Sequence, residues 1–274
     1  MTQTEAINLE EGRPLSRKRR EVARGSLALA VTVPVLLLVW WWLAAPSASP
    51  ALLPDPLRVL EETFNLLVGP ESVDTWTSFG RIVLAVFLAL LIGGFLVFLT
   101  RMLPITETLV GGAILTFFNS VPALGWAILG VVWFGVGNFA VVFVVTLILI
   151  PFCMVNLWEG LRSLDPGLQE MGKSFTRSRS KIFIRIQAPL LIPYTFAAVR
   201  LSFSVGWKVA LIAEFFGAQS GLGLVMNRAR QAFDTPTVFA TIVVVLIIVT
   251  IGERLIFDPI SRMFANRTGT GVAR

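Results

Sequence analysis

Six stretches of the chain are apolar for long enough to cross a bilayer, a crossing taking about 20 mainly apolar residues. They lie near residues 27–45, 75–99, 108–134, 139–157, 190–213 and 238–256. The third is long for one crossing and carries Asn119-Ser120-Val121-Pro122 at its centre. Proline removes a helix hydrogen bond and kinks a helix. One kinked span is expected there, with two short helices as the other possibility. Between the first two spans, Leu57, Leu60, Phe64, Leu67 and Val68 recur at helical spacing. That predicts a short amphipathic helix over 54–68, on the membrane surface or against the bundle. The two ends, 1–15 and 266–274, read as unstructured, and no repeat of solenoid period is present.

Composition agrees with the pattern. Of 274 residues, 55% are hydrophobic and 15% charged, against about 45–50% and 25% in an ordinary globular domain. The fold class is an all-α membrane protein of six transmembrane helices. Three regions follow: a basic segment over 1–26, a six-span domain over 27–257 with one sizeable loop at 158–189, and a tail over 258–274. The chain has no histidine and one cysteine, Cys153. This excludes histidine bases, Ser-His-Asp and Cys-His nucleophiles, Cys/His zinc sites and any intrachain disulfide. No catalytic residue and no metal ligand is expected, and Cys153 reads as a small core residue.

The net charge of +6 is read as topology rather than as affinity for nucleic acid. Arg13, Arg17, Lys18, Arg19, Arg20 and Arg24 precede the first span. Arg162, Lys173, Arg177, Arg179, Lys181 and Arg185 fill the loop between the fourth and fifth. Arg101, Arg254, Arg262, Arg267 and Arg274 fall on the same side, whereas Arg58, Arg81, Arg228 and Arg230 fall on the other. Lysine and arginine favour the cytoplasmic side, so both termini are placed in the cytoplasm. The first span has the flanks of a signal peptide, but its apolar run is too long and five spans follow.

The loop at 158–189 contains Gly167-Leu168-Gln169-Glu170-Met171-Gly172-Lys173-Ser174, which satisfies the phosphate-loop pattern G-x-x-x-x-G-K-[ST]. That motif needs a strand before it and an α/β domain around it. Neither is available here, and Glu170 would place a negative charge in the cradle. Asp165 instead reads as the cap of a helix that starts at Pro166 and runs to about Phe175. A second short helix is expected over 178–187, ended by Pro189.

This loop resembles the EAA loop of bacterial ABC-transporter permease subunits. That pattern is E-A-A, three residues, G, nine residues, I-x-L-P. Glu170, Ile186 and Pro189 match it, whereas Met171, Gly172, Thr176 and Ala188 fill its alanine, alanine, glycine and leucine positions. Val121-Pro122-Ala123-Leu124-Gly125-Trp126, Trp133-Phe134-Gly135-Val136-Gly137 and the run from Glu214 to Ser220-Gly221-Leu222-Gly223 are similar to the nitrate/sulfonate/taurine branch. The resemblance implies a type I ABC importer permease fold in the bacterial inner membrane, with a cytoplasmic coupling helix between helices 4 and 5. Asp165, Glu170, Met171, Gly172, Thr176, Ile186 and Pro189 would form the knob seated on a separate ATPase. Thr176 stands where a glycine would ease a sharp turn. The implied partners are a second permease, identical or different, two ATP-binding subunits and an extracytoplasmic solute-binding protein. No cofactor is implied in this chain, because ATP and magnesium would sit on the ATPase. The implied cargo is a small oxyanion or sulfonate. The rival reading, a transporter driven by an ion gradient, predicts inverted repeats and a midplane acid.

The fifth span carries a polar stripe. At 100° per residue, Arg200, Ser204, Trp207, Lys208 and Glu214 fall in one arc. Charges within a span face protein or a water-filled cavity, so this arc is expected to border the path, with Arg200 and Lys208 favouring an anion. Asn119, Ser120 and Trp126, beside the break in the third span, are further path candidates.

Overall fold

The computed structural model describes residues 53–102, 115–176 and 178–268, with residues 32, 34, 35, 38–42 and 112. Regular structure among the described residues is helical throughout. The chain divides into two units, Met1–Leu60 and Glu61–Arg274. In the first, residues 32, 34, 35 and 38–42 are helical and the Trp40 indole donates to the Pro54 carbonyl at 3.2 Å. The rest of the first expected span, and the expectations over 1–26, lie outside the described residues.

Helix α1, Pro56–Val68, opens where proline suits the first turn and Asp55 accepts the Leu57 amide. Leu57, Leu60, Phe64 and Val68 form one exposed apolar stripe, while Thr63 and Leu66 are buried. Helix α2, Ser72–Met102, is 31 residues of nearly unbroken apolar sequence, about 46 Å at 1.5 Å per residue.

The third expected span is not one kinked helix over its described part. Helix α3, Leu115–Ser120, stops, and α4, Ala123–Phe134, starts after Pro122 at φ −58°, ψ 144°. The cause is local. Proline disfavours helical backbone in the residue before it and has no N–H to give. Its carbonyl begins the next helix by accepting the Trp126 amide.

Helix α5, Asn138–Arg162, is the core element, with Val144, Val145, Leu149, Cys153 and Met154 almost fully buried. It packs on α2 and on the later helix Ile192–Gly217. Glycines permit the close approach. A Cβ at Gly160 would meet the Tyr194 ring at 2.6 Å, and one at Gly130 would collide with Val144. Small residues at helix crossings are how membrane bundles gain packing contacts. Cys153 is buried against Ser202, Sγ to Oγ 3.3 Å.

The hairpin begins as the sequence indicates. Helix α6, Pro166–Phe175, is capped by Asp165, whose carboxylate accepts the Gly167 amide at 2.8 Å. The second helix does not end at Pro189. Helix α7, Arg179–Ile182, runs through a π turn, Phe183–Gln187, into α8, Ala188–Leu190. The Ala188 amide bonds back to the Phe183 carbonyl, so the missing proline N–H falls in a turn whose register is already widened. After Leu191, α9 spans Ile192–Gly217.

Beyond it come α10, Leu222–Gln231, and α11, Thr235–Ile251. A second π turn, Gly252–Phe257, leads to α12, Asp258–Thr268. Helix therefore persists through 266–268, part of the expected unstructured tail; residues 269–274 lie outside the described residues. Among the described residues four helices are long and apolar enough to cross a membrane: Ser72–Thr100, Asn138–Arg162, Ile192–Gly217 and Thr235–Met263.

Candidate functional site

The hairpin between α5 and α9 is a two-helix knob. Gly172 is buried at its joint, because a Cβ there would come within 2.9 Å of Ile186 and 3.1 Å of Ile182. Its outer side leaves Glu170 exposed, with Met171 48%, Phe175 80% and Ile184 61% accessible. Ile186 is half-buried and Pro189 exposed. Thr176 sits at φ −158°, ψ 141°, an extended backbone open to any residue. The absent glycine therefore costs the turn nothing, and the Thr176 hydroxyl accepts the Ser178 amide at 3.2 Å. The phosphate-loop look-alike is simply part of α6. Its first amide, that of Gly167, is taken by the Asp165 carboxylate, which places a negative charge where a phosphate would have to sit.

At the far end of the bundle lies a buried polar cluster. Glu214, with no accessible surface, pairs with Arg81 at 2.7 Å. The Ser78 hydroxyl and the Gly223 amide donate to its other oxygen at 2.7 and 3.0 Å. Arg81 also donates to the Ser220 carbonyl and hydroxyl, 2.7 and 2.6 Å, and to the Asn138 side chain. The Leu222 amide donates to Ser78 and the Gly221 amide to Asp74. One network thus joins the start of α2, the start of α5, the end of α9 and the start of α10. It also explains the Ser-Gly-Leu-Gly run. Gly221 stands at φ 105°, and a Cβ there would lie 2.6 Å from the Glu214 carboxylate.

Sequence reasoning counts Arg81 only as a charge on the side opposite the hairpin, although it falls within the expected second span. The signal that could have found the pair is a cation a few residues inside one span and an acid a few residues inside the end of another.

The expected arc on α9 is divided among different neighbours. Arg200 donates to Glu253 at 2.6 Å and to Asp258 at 2.9 Å, and Ser204 donates to Glu253 at 2.8 Å. Trp207 is fully buried between Phe79 and Phe203, ring centroids 6.3 Å away. Glu214 belongs to the far-end cluster. Lys208 alone of the five is exposed. It shares a face with Leu201 and Phe216, both accessible, and has no ionic partner among the described residues. Trp126 is buried and packs on Phe117 and Phe118, 5.8 and 6.1 Å between centroids. Ser120 is exposed and donates to Thr116 at 2.7 Å, and the Asn119 side chain lies outside the described residues. A cavity of about 610 Å³ between α2, α9 and α11 has apolar walls, including Phe79, Val86, Phe203 and Ile247, and offers nothing to hold a charged solute. No cluster of acids or cysteine able to hold a metal occurs among the described residues.

Residues 109–265 match the model of the "binding-protein-dependent transport system inner membrane component" family. The chain belongs to this family of ABC permeases. It is similar to a "probable ABC transporter permease protein" of Brucella melitensis, 30% identical over 222 residues, covering 79% of this chain and 87% of that one. The taurine transport system permease protein TauC of Escherichia coli is 29% identical over 225 residues, covering 79% and 81%. The inward-facing MetNI methionine ABC transporter superposes with a TM-score of 0.61 at 18% identity, over 72% of this permease and 97% of that chain. The protein is a multi-pass inner-membrane permease with a type I importer fold. The rival reading, a transporter driven by an ion gradient, is not retained.

Proposed function

We propose that this permease forms half of the pathway of an ATP-driven importer of a small anion, with both termini and the hairpin in the cytoplasm. A second permease completes the channel, two separate ATP-binding subunits grip the hairpins, and a binding protein delivers the solute. The observation that carries the reading is the α6 knob. Met171 and Phe175, one helical turn apart, leave a large apolar surface bare beside Glu170 at the end of a rigid joint. Exposed apolar surface rimmed by polar groups marks a protein contact. Replacing both Met171 and Phe175 with aspartate is expected to abolish co-purification of the ATPase with the permease, while the permease still inserts and melts normally. Retention of the ATPase would overturn the assignment.

The anionic character of the solute is supported by Lys208. Arg200 and Glu214 are neutralised within the fold, whereas the Lys208 ammonium has no counter-charge among the described residues. A charge at the middle of a span costs about 2.5–3.5 kcal/mol. An anion passing along this face of α9 would offset that cost, and in a two-fold dimer the two ammonium groups would share it. Lys208→Met is expected to lower uptake of the transported anion by roughly 10- to 100-fold, the weight of one charged hydrogen bond, with Lys208→Arg retaining more. Uptake measured in proteoliposomes decides this, and equal rates for Met and Lys would remove the site.

A further inference from the structure

Helix α4 starts without a cap. Its first internal hydrogen bond runs from the Trp126 amide to the Pro122 carbonyl at 3.2 Å. The amides of Ala123, Leu124 and Gly125 come before it and have no partner within the helix. Serine, threonine, aspartate or asparagine usually stands at the cap position and accepts one of them. Pro122 stands there instead and has no side-chain acceptor. The hydroxyl two residues earlier, that of Ser120, is committed to the Thr116 carbonyl of α3. The turn after Phe134 is tied to the end of α9 through the Gly137 amide and the Gly217 carbonyl, 2.8 Å. The 12 residues of α4 at 1.5 Å each put its first turn about 18 Å from that end, within a hydrocarbon core about 30 Å thick.

A second kind of donor lies unused at the same place. Trp126 is 5% accessible, and its indole N–H is buried without a hydrogen-bond partner. A long side chain on a helix leans towards the N-terminus. The ring contacts with Phe117 and Phe118, on the other side of the break, put Trp126 across that terminus. Three amides and one indole N–H thus gather at one break, at the positive end of the helix dipole, and no acceptor among the described residues meets them. Pro122 and Leu124 are exposed, so this chain does not seal the terminus. Broken backbone at membrane depth is tolerated only inside protein or beside a water-filled cavity.

We infer that the break before α4 is a binding step for the anionic group of the solute, received by the Ala123, Leu124 and Gly125 amides and the Trp126 indole N–H. This rests on the importer reading above and adds to Lys208 a site that carries no formal charge. The donors decide the class of ligand. A helix N-terminus with free N–H groups takes a carboxylate, a sulfonate or another small oxyanion and offers nothing to a cation. Interrupted membrane helices present such termini to anionic groups near the middle of the bilayer. A site built from backbone dipoles and one indole also lets its ligand go, as a pathway requires. Water on these donors is the competing occupant, and it would give no preference for charge.

The test uses the permease assembled with its ATPase in phosphatidylcholine nanodiscs. Methanesulfonate is the anionic probe and dimethyl sulfone its neutral counterpart, and saturation transfer to their methyl protons gives a Kd for each. Methanesulfonate is expected to bind about tenfold more tightly than dimethyl sulfone. Trp126→Phe keeps a ring and removes the N–H. It is expected to raise the methanesulfonate Kd about tenfold, the weight of one hydrogen bond to a charged group. Ala123→Pro removes one amide at the helix position that best accepts proline, and Pro122, at ψ 144°, already has the extended backbone that a following proline requires. It is expected to raise the Kd comparably, and both variants to melt with the wild type. An unchanged Kd in either variant would overturn the inference. So would equal binding of the two probes, or a rise in Kd that only accompanies a fall in melting temperature. A permease that holds no ATPase would count against the importer reading instead.

Discussion

Glu214→Ala is expected to destabilise the permease by about 3–5 kcal/mol, the cost of leaving one member of a buried ion pair alone. Arg81, 5% accessible, would keep its charge with no carboxylate beside it. The Ser78 hydroxyl and the Gly223 amide would lose their acceptor as well. Arg81→Ala should cost a similar amount, and Glu214→Gln less, because an amide oxygen still accepts those hydrogen bonds. Thermal unfolding of the detergent-purified protein, followed by tryptophan fluorescence, measures the difference. A Glu214→Ala protein that melts with the wild type would show that the network does not hold these helix ends together.

Gly172→Val should have the largest effect on coupling. Even a methyl group there meets Ile186 at 2.9 Å and Ile182 at 3.1 Å, but the nearest atom is the flexible tip of Ile186. Gly172→Ala is therefore tolerated, in keeping with the alanine that the EAA pattern has at this position. The branched side chain of valine cannot be absorbed in the same way. Overpacking of this kind costs typically about 1–3 kcal/mol and would lever α6 away from the second helix of the hairpin. Uptake driven by ATP should fall at least about tenfold, while the spanning helices melt as before. The assay is solute uptake compared with ATP hydrolysis in proteoliposomes, where hydrolysis without uptake is the expected signature. Normal uptake by the valine variant would mean that the joint is not what transmits the motion.

Much of this architecture is legible from spacing. Asp165 followed by Pro166 marks the start of α6 because both residues act through local backbone chemistry. Pro122 marks a break for the same reason, and the break is a full interruption between Ser120 and Ala123 instead of a kink. Pro189 shows the limit of such rules. Proline ends a regular helix, but nothing in its neighbours announces the π turn that accommodates it. The polar arc on α9 fails for a different reason. A helical wheel gives each side chain an angle but not the element that covers it. Glu253 and Asp258 lie about fifty residues beyond Arg200 and reach it only through tertiary packing, as Arg81 reaches Glu214 across more than a hundred residues. Lys208 keeps its interest because the fold leaves it uncovered.

The π turn at Gly252–Phe257 holds one residue more than an α-helix of the same rise would need. An α-helix advances 100° and 1.5 Å per residue. Removing one residue there would let α11 and α12 join smoothly, but it would swing α12 by more than a quarter of a revolution and carry Asp258 off Arg200. The length of this short stretch, more than the identity of most of its side chains, decides which acids neutralise that arginine.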